Sequence, residues 1–296
     1  MRDVEAGVTL RGEAPTGMLQ DWIGRSREVE DEVAAPLMRR LAATLDLDPP
    51  DLRRGAPVPP HWIAVLFDDA QRQSALGADG HAATGEFLPP VSLPRRMLAG
   101  RRMRYERAPR IGDAVVRRSE IAAITPKEGR SGRLVFVTLR HTITGPEGVI
   151  AVEEQDLAYR EAPKPDTAAA PAKAPALPDA AWQQEFLPDP VLLFRVSALQ
   201  FNGHRIHYDA DYARGAEGYP ALVVNGTVTT LALIEAARRR AGRELRAYAA
   251  RTAKPLFCGR RARLCGTGLD AAGGATLWAE NEEGALAMRL DVEFAP

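Results

Sequence analysis

Leu222 to Gly242 reads LVVNGTVTTLALIEAARRRAG, and its reading decides the fold. The sequence predicts a long helix over Val224 to Arg240, opened at Asn225-Gly226. Leu231, Leu233 and Ile234 supply its buried side. Arg238, Arg239 and Arg240 fall in the last turn, where cations oppose the helix dipole, and Gly242 suits the C-terminal cap. Four strand-like runs follow: Leu245 to Leu256, Arg261 to Gly268, Ala275 to Glu280 and Leu286 to Phe294. Gly273-Gly274 and Glu283-Gly284 supply turns between them. A long helix wrapped by a strongly bent antiparallel sheet is the simplest α+β solution for such a pattern.

Just upstream lies Phe201 to Asp211, FNGHRIHYDAD. It puts an amide (Asn202), two histidines (His204 and His207) and a tyrosine (Tyr208) into one short run beside the helix start. Histidine suits proton transfer, because its unperturbed pKa of about 6.5 lies near operating pH. Backbone N–H groups at a helix start suit an oxyanion, since they are unsatisfied and carry the positive dipole end. Leu192 to Gln200 reads as the strand that leads into this run, and Asp209 to Arg214 as a short helix capped by Asp209.

The first half repeats the order. Asp21 to Arg25 reads as a short strand or turn leading into a helix, for which Ser26 or Asp31 is a candidate cap. Val33, Leu37, Leu41 and Leu45 give that helix an apolar stripe, with Pro36 in its first turn. His61 to Phe67 is a short apolar run behind two prolines, and Gln71 to Pro94 reads mostly as loop. Met97 to Glu106, Ala114 to Ile124, Arg133 to Thr144 and Val149 to Tyr159 then read as strands of an antiparallel meander. Glu161 to Ala180 is dominated by Ala and Pro and reads as a linker. The expected organisation is a first domain over 1–160, a linker over 161–184 and a second domain over 185–296. Val58-Pro59-Pro60-His61-Trp62-Ile63 in the first half parallels Val223-Val224-Asn225-Gly226-Thr227-Val228 in the second, the mark of an internal duplication.

Composition excludes several classes. The 296 residues carry zero formal net charge, so there is no bulk electrostatic case for nucleic acid or an anionic membrane. No long uncharged apolar run suggests a transmembrane helix, and the N-terminus lacks an apolar signal core. A cytoplasmic location is expected. The two cysteines, Cys258 and Cys265, read as reduced thiols, and no metal site is expected.

The residues Asn202-Gly203-His204-Arg205-Ile206-His207, with Gly226 opening the helix downstream, resemble the MaoC-like, R-specific enoyl-CoA hydratases of the hot-dog fold. The whole chain, with its leading DWIGR, its Pro59-Pro60 step and FNGHRIHYD, is most similar to the double hot-dog branch. That branch holds mesaconyl-C4-CoA and itaconyl-CoA hydratases and type 2 hydroxyacyl-thioester dehydratases. The resemblance implies a double hot-dog fold, each unit an antiparallel sheet around a central helix. It implies reversible addition of water across an α,β-unsaturated CoA thioester, with no cofactor. His207 falls on the histidine of the motif and becomes the water-activating base, which can also return the proton as acid. Asn202 falls on the motif's aspartate and orients the water or His207 through an amide that cannot take a proton. The Gly226 N–H holds the enolate oxygen, and Asn225 replaces the histidine that usually precedes that glycine. Arg205, Asn225, Tyr208 and His204 are the candidate substrate-binding residues. Arg205 suits the free carboxylate of a dicarboxylyl thioester, while His204 also reads as structural support and Tyr208 as packing.

The first half offers no comparable histidine run, and proline replaces the helix-start glycine, so it is expected to have lost catalysis. Its Arg95, Arg96, Arg101, Arg102 and Arg104 form a basic cluster that suits coenzyme A phosphates. Mesaconyl-C4-CoA or itaconyl-CoA, giving citramalyl-CoA, is the favoured substrate. Straight-chain 3-hydroxyacyl thioesters are the alternative. A non-catalytic acyl-CoA-binding protein and a thioesterase are the other classes. The expected assembly is a monomer or homodimer.

Overall fold

The computed structural model describes residues 19–67, 70–81, 87–93, 95–129, 132–161 and 176–296. Ten strands form one antiparallel sheet: β1 (Ser26–Glu32), β2 (Arg95–Tyr105), β3 (Ala114–Gly129), β4 (Gly132–Gly145), β5 (Gly148–Arg160), β6 (Trp182–Phe186), β7 (Leu245–Thr252), β8 (Ala262–Gly266), β9 (Gly274–Glu280) and β10 (Leu286–Phe294). Their order is β1-β3-β4-β5-β2-β7-β10-β9-β8-β6. From each outer edge inward the two halves therefore run in the same sequence, and they meet where β2 pairs with β7, Gly100 opposite Arg251 and Arg104 opposite Ala247. This is the duplication the sequence predicts. One detail differs: β2 does not join the meander of β3, β4 and β5 but lies beyond β5.

Among the described residues four α-helices accompany the sheet: α1 (Ala35–Thr44), α2 (Pro190–Leu199), α3 (Ala210–Gly215) and α4 (Gly226–Ala241). The segment expected as the strand Leu192 to Gln200 is α2, started by Asp189, whose side chain caps the Leu192 N–H at 2.7 Å, and by Pro190. The true leading strand of the second half is β6, which pairs with β8 and begins inside the expected linker. Residues 162–175 of that linker, like most of the N-terminal stretch, lie outside the described residues. In the first half, β1 occupies the place where a helix cap was expected, and α1 carries Pro36 in its first turn.

The sheet curls around α4. Val228, Leu231, Leu233, Ile234, Ala236 and Ala237 are buried, and so are Thr229, Thr230 and Glu235. Apolar side chains so placed contribute roughly 1.5–3 kcal/mol each for the larger ones. Asn225 caps α4 by accepting from the Thr227 N–H at 2.8 Å, and Gly242 ends it in the left-handed conformation at φ 62°. The corresponding part of the first half is only a 3-10 helix, Pro60–Val65. Its Phe67 turns out of helix at φ 64°. Among the described residues, then, only the second half has a full central helix, and the first half has this short 3-10 turn. Among the described residues no helix is long and apolar enough to cross a membrane. Both cysteines are free thiols.

Candidate active site

The turn between α2 and α3 carries the histidines. Asn202 folds it: its backbone N–H donates to Ser197 and its side-chain oxygen accepts from the His204 N–H at 3.0 Å. Arg205–His207 is one turn of 3-10 helix, and His207 is buried. His207 Nδ1 lies 2.7 Å from the carbonyl oxygen of Val223. A carbonyl only accepts, so Nδ1 bears the proton and Nε2 keeps a free lone pair. Burial lowers the pKa of this imidazole, against the opposing pull of the Val223 carbonyl. His207 is thus neutral near pH 7 and held as a base.

Val223 lies immediately before α4, so the bond that fixes His207 also ties it to the helix start. Gly226 is the first residue of α4. Its N–H has no acceptor within the helix. A Cβ built on it would meet only Met288 Cε, at 3.8 Å, an ordinary van der Waals contact. Asn225 is buried and engaged: besides its cap bond, its amide donates to Gln200 Oε1 at 3.3 Å.

The other residues singled out by sequence serve the turn itself. Arg205 Nε and a terminal nitrogen donate to Asp209 Oδ2 at 3.0 and 2.8 Å, and its guanidinium covers Tyr212. Its remaining nitrogen donates to the Ala78 carbonyl at 3.0 Å. Tyr208 is half-exposed and donates to Gly203 O at 2.9 Å. His204 stands edge-on to His207, ring centroids 5.3 Å apart. Burial, then the neighbouring His81 and His207, push its pKa down to about 3.

The structure adds a group that sequence reading left in a loop. The first half's Gly77–His81 segment docks on the turn that carries His204 and His207. The Arg205 N–H donates to the Asp79 carbonyl at 2.9 Å. Gly80, at φ 86°, packs its backbone against Gly203 so closely that a Cβ there would collide with the Gly203 carbonyl. His81 stacks on His204 at a centroid distance of 4.1 Å. Its Nδ1 lies 3.0 Å from Asp79 Oδ2. Burial works against the charge of Asp79, but the hydrogen bonds from the His81 ring and backbone outweigh it and hold the carboxyl below its usual range. Asp79, His81 and His204 are also the one set among the described residues whose ligand atoms, within 4.8 Å of one another, suit a cation.

The expected basic cluster on β2 does not act as a unit. Arg101 is buried against Glu153 at 2.6 Å, Arg102 pairs with Glu154 and Asp156, and Arg104 leans to Glu106 at 3.5 Å. Arg96 contributes a small share of the positive charge that, after burial, depresses His204.

Comparison with known proteins fits this geometry. The family described as hydroxyacyl-thioester dehydratase type 2 matches residues 61–258. Mesaconyl-C(4)-CoA hydratase of Chloroflexus aurantiacus is 44% identical over 238 residues, which is 80% of this chain and 84% of that protein. The chain belongs to the hydroxyacyl-thioester dehydratase type 2 family. A MaoC-like dehydratase from Phytophthora capsici matches 95% of this family member and 99% of its own chain at TM-score 0.70 and 13% identity. A Mycobacterium tuberculosis protein described as a double hot-dog matches 92% of this chain and 96% of its own at TM-score 0.54 and 15% identity. The fold is the double hot-dog, with the central helix reduced in its first half.

In this family member the sequence pointed to His207 and to the start of α4, and the structure ties His207 to Val223, three residues before Gly226. It could not point to Asp79 and His81, which reach the same site from 120 residues upstream or more. Their signal was a Gly-Ala-Asp-Gly-His run in an otherwise structureless stretch, and loops held by a rigid scaffold are where binding and catalytic residues concentrate.

Proposed function

We propose that this chain is an acyl-CoA hydro-lyase that adds water reversibly across the double bond of an α,β-unsaturated CoA thioester. One observation carries the reading: His207 Nδ1 is anchored at 2.7 Å on the carbonyl of Val223, three residues before Gly226 opens α4, which leaves Nε2 free to act as a base. In the forward direction Nε2 takes a proton from water as its oxygen bonds to the β-carbon. The π electrons move onto the thioester oxygen, where the Gly226 N–H stabilises the enolate. Collapse of the enolate, as His207 Nε2–H returns its proton to the α-carbon, gives the 3-hydroxyacyl thioester and restores the neutral imidazole. A positioned acid/base supplies about 10²–10⁴-fold, and one oxyanion donor about 10²–10³-fold.

Mesaconyl-C4-CoA or itaconyl-CoA, giving citramalyl-CoA, is the substrate we favour, on the strength of the 44% identical relative. Straight-chain 3-hydroxyacyl thioesters are the second reading, which the match to the type 2 dehydratases favours. Both halves of the fold lie in one chain, so a monomer is a sufficient unit, and we place the enzyme in the cytoplasm. The test is to follow loss of the conjugated thioester absorbance with crotonyl-CoA and mesaconyl-C4-CoA. Faster turnover of the dicarboxylyl substrate supports the first reading, and preference for crotonyl-CoA the second. Binding of coenzyme A thioesters without turnover of either would make this a binding protein instead.

A further inference from the structure

The reaction proposed above asks the Gly226 N–H to receive the enolate oxygen, and an error of about 1 Å in such a group can cost 10²-fold in rate. The first turn of a helix is where its backbone frays, because its N–H groups lack acceptors within the helix. Two side chains hold this one. Asn225 Oδ1 accepts from the Thr227 N–H at 2.8 Å, and the Asn225 amide nitrogen donates to Gln200 Oε1 at 3.3 Å. Gln200 then reaches past Gly226: its Nε2 donates to Thr227 Oγ1 at 3.2 Å and to the Ala64 carbonyl at 2.8 Å.

We propose that Gln200 is a positioning residue for this reaction: through Asn225 and Thr227 it sets the direction of the Gly226 N–H. The orientation of its amide follows from its partners. A carbonyl only accepts, so the group facing Ala64 is Nε2. Asn225 Oδ1 is taken by the Thr227 N–H, so the end of Asn225 that faces Gln200 is its NH2, which requires Oε1 opposite. Both ends of the Gln200 amide are therefore engaged. Two of its three partners flank Gly226, and the third belongs to the first half's 3-10 turn. Gly226 has no side chain of its own to hold it, so its two neighbours fix the peptide. Asn225 is buried, so water is a poor replacement for the bond it makes to Gln200.

Gln200 also stands at the root of the histidine turn. It caps the C-terminus of α2, its backbone N–H on the Val196 carbonyl at 3.0 Å. The chain then reverses at Phe201, φ 48°, into Asn202 and the histidines. The turn that bears the base and the helix start that bears the N–H are thus joined twice, once through His207 and Val223 and once through Gln200. Ala64 gives the first half a part in the same arrangement, since its carbonyl is the fixed point on which the Gln200 amide is oriented.

This role rests on the hydratase reading, and one set of assays on the full chain separates the two. Gln200→Met keeps the length of the side chain and removes the amide. It is expected to lower kcat by about 10–10²-fold with KM nearly unchanged, because a displaced oxyanion donor weakens the transition state more than the bound substrate. The acid limb of its kcat/KM profile is expected to stay at the wild-type position, since His207 is untouched. Gln200→Glu keeps the shape and the acceptor for Asn225 but turns a carboxylate onto the Ala64 carbonyl. It is expected to be slow as well, and it reads the same role should the Met variant not fold. Asn225→Ser retains a capping oxygen and loses the amide that reaches Gln200. The double variant of Asn225→Ser and Gln200→Met is expected to be about as slow as Gln200→Met alone. A folded Gln200→Met enzyme with wild-type kcat overturns the role and leaves the hydratase reading standing. Fully multiplicative losses in the double variant also overturn it, because the two residues would then act independently. A wild-type protein inert toward crotonyl-CoA and mesaconyl-C4-CoA overturns the hydratase reading and this role with it.

Discussion

Glu235 of α4 and His61 of the first half's 3-10 remnant meet at 2.8 Å, both almost wholly buried, across 174 residues of sequence. Trp62 Nε1 donates to the same carboxylate oxygen at 2.9 Å, and Arg238 reaches the other at 2.9 Å. Burial raises the pKa of Glu235, but the His61 and Trp62 hydrogen bonds and the Arg238 charge outweigh it and hold the carboxyl down at about 2. Burial keeps His61 neutral, so it donates from Nε2. The long helix is therefore pinned to the other half through one ionised side chain. Glu235→Ala leaves two buried donors without an acceptor and is expected to cost roughly 3–5 kcal/mol. Glu235→Gln, which retains an acceptor, is expected to cost less. Denaturant unfolding checks both, and a loss below about 1 kcal/mol for the Ala variant would show that the contact is not structural.

The second prediction concerns the pH dependence of the rate. His207 must be neutral to act as base, and burial lowers its pKa below 6.5. The acid limb of kcat/KM, which reports the free enzyme, is expected to have its midpoint below pH 6.5. His207→Ala is expected to reduce turnover by about 10²-fold or more. A midpoint above 6.5 in the wild type would mean that another group is the base.

The fold was legible where apolar periodicity and punctuation agreed. The α4 helix shows a capping Asn225, buried Leu231 and Ile234 and a terminal Gly242, and β4 alternates buried Val135, Val137 and Leu139 with more open neighbours. The strands that sequence reading passed over are β1, SREVEDE, and β6, WQQEF, at the two edges of the sheet. Edge strands carry charge to discourage pairing with other chains, and that charge erases the alternation by which strands are read. Pro190–Leu199 went the other way. Its run of Val, Leu and Phe leaves Val191 and Phe194 exposed, so no helical stripe stands out, and a short apolar run does not separate helix from strand. At the site, His207 and Gly226 lie within one stretch and one motif. Asp79 and His81 are brought in by tertiary packing alone.

A third prediction separates the two roles open to Arg205. Its guanidinium bonds Asp209 and the Ala78 carbonyl, so it fastens the first half's loop to the histidine-bearing turn. Arg205→Ala is expected to slow crotonyl-CoA and mesaconyl-C4-CoA by a similar factor, about tenfold, since a misplaced acid/base affects both alike. A loss confined to the dicarboxylyl substrate would instead assign Arg205 to the substrate carboxylate.

Stability should also depend on pH through the buried histidines. Burial holds His141, bonded through Nδ1 to Ser119 Oγ at 2.7 Å, down at about 4. Between pH 4 and 6.5 the unfolded chain therefore binds a proton at His141 that the native protein does not. Stability from this residue is complete above pH 6.5 and falls as pH drops toward 4, by about 3 kcal/mol in all. His204 adds a contribution of the same sign over a window reaching about pH 3. The Tm is expected to be flat from pH 8 to 7 and to fall below 6.5. His141→Gln should flatten part of that fall, and an unchanged slope in the variant would assign the effect elsewhere.

The last prediction tests whether the loop from the first half is part of the catalytic unit. Gly80 sits at φ 86°, a region that costs an ordinary residue roughly 1–2 kcal/mol. In addition its Cβ would run into the Gly203 carbonyl, a backbone atom that cannot rotate away. The rest of the loop is held by the Arg205 N–H on the Asp79 carbonyl at 2.9 Å and by Arg205 on Ala78 at 3.0 Å. Gly80→Ala must therefore push the loop off the turn or strain both bonds, and either movement draws His81 away from His204. Neither change reaches the buried side of α4. The expected outcome is a loss of kcat of about 10²-fold, the size expected from a 1 Å misplacement of reacting groups, with the Tm lowered by only a few degrees. Gly148, at φ 101° in the turn between β4 and β5 with nothing within 4 Å of a built Cβ, is the matched control. Gly148→Ala carries the same kind of backbone strain and is expected to leave kcat unchanged. Equal losses in the two variants would mean that general destabilisation, and not the placement of the loop, governs the rate.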